Sequence, residues 1–326
     1  MQRPFEGIRV IDATHVLAGP FAAYQLALLG ADVIKVEHPY DPDQSRLTGT
    51  DRALGRRHMG TSYLTQASNK RSLTLDLKQP AGQEVFTKLV ATADVLVENY
   101  RPGALDALGL GYEAMAGINP RLIYASMSAF GQHGPRAQHT AYDYVIQATS
   151  GIMAMTGTPD VNPIKFGSPA IDYATGTTGA FALASALFQR ERTGRGQRVD
   201  LAMLDVAMIL MGSHLTGYTR TGHHPKPNGN VNERLEEARP FVGAALHQDL
   251  GDQLGLGGAC AQHQQAVAGR IAAGARLASN MRQYRRFWRV LGRPELIQPD
   301  LEAREHAPCA RRARAHHGRG ARRPAA

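Results

Sequence analysis

Asp172 lies in the string FGSPAIDYATG, directly ahead of the small-residue run TGTTGAFALASALFQ at residues 175–189. A carboxylate in that place has two uses. It can cap the helix that such a run predicts. It can also act as a nucleophile, because an aspartate with an ordinary pKa of about 3.9 is ionised at neutral pH without a general base. The positive end of a helix would keep it ionised in either role. No partner base stands beside it in the sequence, so residue types alone leave both uses open. Cys260 and Cys309 sit in separate, unpatterned segments, which supports neither a disulfide framework nor a cysteine metal site, and no metal is expected.

The elements that must position such a residue follow from the apolar pattern. Residues 7–12, 32–37, 72–77, 94–98 and 122–126 read as strands, and residues 21–29, 82–92 and 112–118 as helices between them. Strands alternating with helices predict an α/β fold with a Rossmann-like, doubly wound parallel sheet. The first turn, ATHVLAGP, lacks G-x-G-x-x-G, which argues against a nicotinamide dehydrogenase. The run at 175–189 predicts a closely packed helix stopped by RERTGRGQ, with a second apolar helix over residues 199–215. HHPKPNGN then reads as a linker. Residues 1–222 form a large domain on this reading, and residues 223–326 a linker with a partial, smaller domain. After residue 233 periodicity is lost, except at residues 279–296. Strings rich in Ala, Arg, Gly, Gln and His are what a high-GC gene gives when read out of frame, the alternative being a disordered tail.

The net charge of +9 is concentrated at the end of the chain. Arg311, Arg312, Arg314, Arg319, Arg322 and Arg323 follow Cys309 without an acidic residue, so the rest of the chain is nearly balanced and no nucleic-acid partner is expected. No run of about 18 apolar residues occurs, and the first residues lack a signal peptide's apolar stretch, so a cytoplasmic protein without a membrane partner is expected.

Five blocks carry a resemblance: GIRVIDATHVLAGPFAAYQLALLGADVIKVEHP, NKRSLTLDLK, ADVLVENYRPGALDALGL, INPRLIYASMSAFGQHGP and TGRGQRVDLAMLD. In this order they resemble the family III CoA-transferases (CaiB/BaiF type), which include the formyl-CoA:oxalate enzyme. The resemblance implies an interlocked homodimer that transfers CoA from an acyl-CoA to a small carboxylic acid, with CoA as substrate and no tightly bound cofactor. It places Asp172 at the family's nucleophilic aspartate, and backbone amides near Gly167 or Gly176 as oxyanion donors. It implies CoA contacts at His15, Leu17, Ala18, His38, Leu75, Lys78, Asn99, Tyr100, Arg101 and Tyr142. Read one at a time, Leu75 is a core strand residue, Lys78 and Arg101 are solvated charges, and Tyr142 is a rim residue.

Departures from the pattern also count. His38 and Ala107 stand where the formyl-CoA enzyme has arginines, and Gly255, Gly257 and Gly258 lie in an unpatterned stretch rather than in a glycine loop. Oxalate is therefore not assigned as the acceptor. Two other readings remain. An α-methylacyl-CoA racemase would carry histidine before Asp143, where this chain has Tyr142. The family's C-terminal return segment is missing, so the chain could instead be an inactive remnant that only binds CoA.

Overall fold

The computed structural model describes residues 3–229. Six strands form one sheet: β1 (Arg9–Ala13), β2 (Asp32–Glu37), β3 (Lys70–Thr74), β4 (Val95–Glu98), β5 (Ile123–Ser128) and β6 (Gln197–Ala202). All pairings are parallel, in the order β3-β2-β1-β4-β5-β6. The winding direction reverses between β1 and β4, so a crevice opens there at the carboxyl ends of the strands. The linking helices are α1 (Ala18–Leu28), α2 (Arg52–Arg56), α3 (Thr61–Ala67), α4 (Pro80–Val90), α5 (Tyr112–Ile118), α6 (Asp143–Ser150), α7 (Ala170–Thr193), α8 (Met203–Leu210) and α9 (Gly212–Thr221).

The central strands are covered on both faces and are accordingly apolar on both. On one face α1 and α7 pack over Val10, Val33, Val97 and Ile123. On the other, Phe86 and Val90 of α4 and Met115 of α5 meet Ile11, Ile34 and Leu96. The α1–α7 contact is close because two positions in α7 have no side chain. A Cβ on Gly176 would lie 2.7 Å from the Ala18 carbonyl oxygen, and one on Gly179 would lie 3.3 Å from the Ala22 Cβ. The two helices therefore meet almost backbone to backbone, with their N-termini at the same end of the sheet.

Three sequence expectations change. The strand expected at residues 72–77 runs Lys70–Thr74, because Lys70 and Arg71 pair with Asp12 and Asp32 instead of forming a polar turn. The helix expected from residue 175 starts at Ala170 and includes Asp172 in its first turn. The single helix expected over residues 199–215 is strand β6 followed by α8 and α9. In QRVDLA, Val199 and Leu201 point to the α1–α7 side and pack into that core. This is a period of two, and its pairing with β5 outweighs the helical tendency of the following apolar run. The C-terminal part of the expected second domain, the stretch at 279–296 and both cysteines lie outside the described residues.

Charges are buried below the crevice. The Asp12 carboxylate accepts from Lys70 Nζ at 2.7 Å and from the Thr14 backbone N–H at 3.1 Å. Lys70 Nζ also donates to the Pro20 carbonyl at 2.7 Å. Lys35 Nζ donates to the Thr14 carbonyl at 2.6 Å and lies 3.3 Å from Asp43 Oδ2. Burial opposes ionisation of Asp12, but the ammonium groups of Lys70 and Lys35 hold its carboxyl well below the usual carboxylate range. Glu37 stays ionised against its own burial by a two-pronged bond to Arg46, whose Nε and Nη2 lie 2.8 and 2.5 Å from Oε1 and Oε2.

Removing one member of such a buried pair leaves its partner charged and uncompensated, a change that costs about 3–5 kcal/mol. Asp12→Ala is expected to destabilise the protein by that amount, read as a lowered urea midpoint. Exposed Glu84→Ala breaks only the surface pair with Lys88 and is expected to leave the urea midpoint nearly unchanged.

Candidate active site

The turn from β1 into α1 is strained and held from three sides. Val16 has φ 73°, a left-handed conformation that a β-branched residue adopts only when its surroundings enforce it. Its N–H points to both oxygens of Asp43, at 3.1 and 3.2 Å, and its carbonyl accepts from Gln66 Nε2 at 2.7 Å. Asp43 is itself fixed by Lys35 and by the N–H and hydroxyl of Ser45. On the other side Asn99 clamps His15, accepting from its N–H and donating to its carbonyl, both at 2.8 Å. This clamp ties β1 to β4 at the point where the sheet reverses.

The turn sends the chain into α1 with Leu17 at the N-cap and no side-chain cap. The first amides of the helix, at Ala18 and Gly19, are donors of the kind that bind phosphate. His15 is a neutral group here, since burial and the nearby Lys35 charge lower its pKa below the ordinary 6.5. It can therefore offer hydrogen bonding and a ring face rather than a positive charge. Its ring meets Tyr100 edge-on at 5.5 Å, and the Tyr100 N–H is held by Glu98 Oε2 at 2.8 Å.

A second group gathers at the ends of β2 and β3. His38 Nδ1 accepts from the N–H groups of Tyr40 and Asp41 at 3.2 and 3.0 Å, which leaves its proton on Nε2, 3.6 Å from Asp76 Oδ1. Leu75 donates its N–H to the Glu37 carbonyl at 2.9 Å, with its side chain against the α4–α5 core. Lys78 and Arg101 are exposed, with their side chains free to meet an anion.

The third group surrounds Asp172. It is not a helix cap: the N-cap of α7 is Pro169, and Asp172 occupies the first turn. The capping acceptor comes from another helix. Asp143, the first residue of α6, accepts from the N–H groups of Ile171 and Asp172 at 2.7 and 3.0 Å through one oxygen, while its other oxygen accepts from Gln147 Nε2. The positive end of α7 thus stabilises Asp143 rather than Asp172. Burial pushes the Asp172 carboxyl up to about 7, and the neighbouring Asp143 charge acts in the same direction. The expectation of an ordinary, fully ionised aspartate held by its helix is corrected accordingly. Tyr142, the N-cap of α6, accepts from Gln44 Nε2 at 3.2 Å, which links this group to the loop after β2.

Of the two glycines expected near the oxyanion, Gly176 lies inside α7, and its missing side chain serves the contact with Ala18. Gly167 stands in the loop before α7, with open space where a Cβ would be. Sequence reasoning did not assign Asp143, Gln147 and Asp43 to the site. A lysine inside the apolar strand DVIKVE was the signal for a buried partner such as Asp43. Among the described residues no group of His, Cys, Asp and Glu is arranged to hold a metal ion.

The family described as CoA-transferase family III matches residues 5–244. The chain is 44% identical over 228 residues to the acetyl-CoA:oxalate CoA-transferase of Acetobacter aceti, covering 70% of this chain and 58% of that one. It is 41% identical over 235 residues to the succinate–glutarate CoA-transferase of Agrobacterium fabrum, covering 71% and 59%. The chain thus spans less than two thirds of the length of these curated relatives. A crystal structure of a CaiB/BaiF family protein from Brucella suis superposes with a TM-score of 0.68 at 31% identity, covering 94% of this chain and 83% of that one.

If the Asp143 charge helps hold the proton on Asp172, Asp143→Asn should bring the Asp172 midpoint down from about 7 towards the ordinary 3.8. Carbodiimide coupling, which requires the protonated carboxyl, would be followed across pH by mass spectrometry of the peptide that carries Asp172. An unchanged midpoint would show that burial alone sets it.

Proposed function

This chain belongs to CoA-transferase family III, and on that premise we propose that it moves CoA from an acyl-CoA thioester to a free small carboxylic acid, with Asp172 as the nucleophile. The observation that carries this reading is the placement of Asp172. Its carboxyl sits, partly buried, on the helix that packs backbone to backbone against the uncapped start of α1. A carboxylate and a set of phosphate-ready amides thereby share one end of the sheet.

The proposed path uses no general base. The Asp172 carboxylate attacks the thioester carbonyl, and collapse of the tetrahedral oxyanion expels CoA thiolate to leave a mixed anhydride. The thiolate attacks the aspartyl carbonyl and expels the donor's carboxylate, giving an aspartyl-CoA thioester. The acceptor carboxylate then attacks that thioester, and the steps run in reverse to give the new acyl-CoA and free Asp172. The loop amide at Gly167 is the remaining glycine donor proposed for the oxyanions.

For CoA we propose the backbone amides of Leu17, the N-cap, and Ala18, the first residue of α1, the ring faces of His15 and Tyr100, the imidazole N–H of His38, the Leu75 side chain, Lys78, Asn99, Arg101 and Tyr142. Lys78 and Arg101 supply the positive charge that the neutral His15 does not. The names of the relatives make oxalate, succinate and glutarate the acids to assay first. We also propose a homodimer, interlocked as in the family. Phe181 and Phe188 on α7 and Ile209 on α8 are exposed, forming the kind of apolar surface that an interface covers. We propose a cytoplasmic setting, and among the described residues no helix is long and apolar enough to cross a membrane.

Asp172→Ala is expected to abolish exchange while leaving CoA binding largely intact. Hydroxylamine trapping after incubation with acyl-CoA should label Asp172 alone, and a label elsewhere would overturn the assignment. Because only the ionised carboxyl is nucleophilic, kcat/KM should rise with pH along an acid limb centred near 7, the value to which Asp172 is shifted. Deuterium uptake at Cα of an α-methyl acyl-CoA in heavy water, without an acceptor acid, would point instead to proton abstraction of the racemase kind.

A further inference from the structure

Thr175 lies on α7, one turn beyond Asp172, and is fully buried. Its hydroxyl makes no hydrogen bond. Two other hydroxyls of the same helix, on Thr177 and Ser185, donate to the carbonyls of Tyr173 and Phe181 four residues back, both at 2.9 Å. Thr175 makes no such bond to the Ile171 carbonyl, although one of the two rotamers common to a helical threonine reaches that acceptor. The layers on either side of it are apolar. Ile171, one turn before, packs with Ile146, Met203 and Ala207, and Gly179, one turn after, faces Leu201, Met127 and Ala22. A buried donor without a partner costs stability and calls for a reason.

We propose that Thr175 is a further catalytic residue, whose hydroxyl is kept free to donate to the oxyanion that forms on the Asp172 carboxyl itself. The proposal rests on the reading of Asp172 as nucleophile and deepens it.

That path makes oxyanions at two different carbons. The first forms on the acyl carbonyl, in the substrate. The second forms on Cγ of Asp172, when the CoA thiolate attacks the mixed anhydride. In that step the S–C bond forms and the negative charge moves onto the free Oδ. Collapse then breaks the bond to the donor's carboxylate, which leaves with the electron pair. No proton is transferred, so the hydroxyl has only to donate and keeps its hydrogen. The same kind of oxyanion returns when the acceptor carboxylate attacks the thioester. A side chain with no exposed surface is out of reach of the substrate's carbonyl, but not of the protein's own carboxyl. Residues three apart on a helix have Cβ atoms about 5–6 Å apart, and helical side chains lean towards the N-terminus. This carries the Thr175 hydroxyl towards the turn that holds Asp172. Attack makes Cγ tetrahedral and moves its oxygen out of the former carboxylate plane, so a donor set for that position stays unbonded in the resting state.

The test uses the full 326-residue chain and succinyl-CoA. The rate at which CoA becomes attached to Asp172 in a single turnover is read by mass spectrometry of the peptide that carries it, and the urea midpoint is read on the same variants. Thr175→Val removes the hydroxyl at nearly constant shape and is expected to slow attachment about a hundredfold, the loss of one oxyanion donor, with an unchanged Kd for CoA. Its urea midpoint is expected to rise, because an unpartnered buried hydroxyl is gone. Thr175→Ser keeps the donor and is expected to retain the wild-type rate, while its midpoint falls for the lost methyl group. A merely structural hydroxyl would instead lower both rate and midpoint in Thr175→Val. Where the Val variant does not fold, Thr175→Ala is expected to show the same slowing. An unchanged attachment rate in a folded variant without the hydroxyl, or a rate that falls together with the urea midpoint in Thr175→Val, overturns this proposal alone. A wild type that acquires no CoA on Asp172 overturns the nucleophile reading, and this one with it.

Discussion

The end of the sheet that carries the site is built on buried ion pairs between β1, β2 and β3 and the loop after β2. Asp12 with Lys70, and Lys35 with Asp43, take four charges out of water, and such charges are tolerated only when each is paired and its remaining hydrogen-bonding capacity is used. Here it is used on backbone: Lys35 holds the Thr14 carbonyl, Lys70 the Pro20 carbonyl, and Asp43 the Val16 N–H. These are the groups that a tight turn from β1 into α1 leaves without regular partners. The left-handed conformation of Val16 persists because Asp43, Gln66 and the Asn99 clamp on His15 fix the chain before and after it. Hydrophobic burial sets the sheet and helices in place, but this ionic lattice decides how α1 begins.

Two helix N-termini then lie side by side in different electrostatic states. α1 starts without a side-chain cap, which leaves its amides for an anion. α7 starts already occupied by Asp143. The glycines of α7 bring the two starts together, and a methyl group at Gly176 would collide with the Ala18 carbonyl. One helix end is thus left uncapped while the other is closed by an internal carboxylate.

Much of this was legible in the chain. Alternating strands and helices predicted the parallel sheet, and the small-residue run predicted a close-packed helix. The resemblance placed the implied contacts at the carboxyl ends of β1 to β4, where His15, His38, Leu75 and Asn99 stand. The misread elements share a physical cause. Lys70, Arg71, Arg198 and Asp200 look like surface or loop residues, but they lie in strands whose neighbours are fixed by register, and register is a tertiary property. The upward shift of the Asp172 carboxyl was invisible for the same reason. Asp143 is distant in sequence, and nothing local shows that its carboxylate, rather than that of Asp172, meets the α7 amides.

A raised Asp172 pKa has two opposing effects on the proposed path. The upward shift lowers the population of ionised nucleophile near neutral pH, while the more basic carboxylate attacks a carbonyl more readily. The mixed anhydride decides which effect matters more. It joins Asp172 to an acid with a pKa in the ordinary carboxylate range, about 4. Thiolate attack at the acyl carbonyl would expel Asp172, the stronger base and poorer leaving group, and return the starting thioester. Attack at the aspartyl carbonyl expels the weaker base, the free acid, and moves CoA onto the protein. Burial and the fixed Asp143 charge therefore do more than hold a proton in the resting state. On the proposed path they would bias the anhydride to open towards the aspartyl-CoA thioester, the direction that the proposed transfer requires.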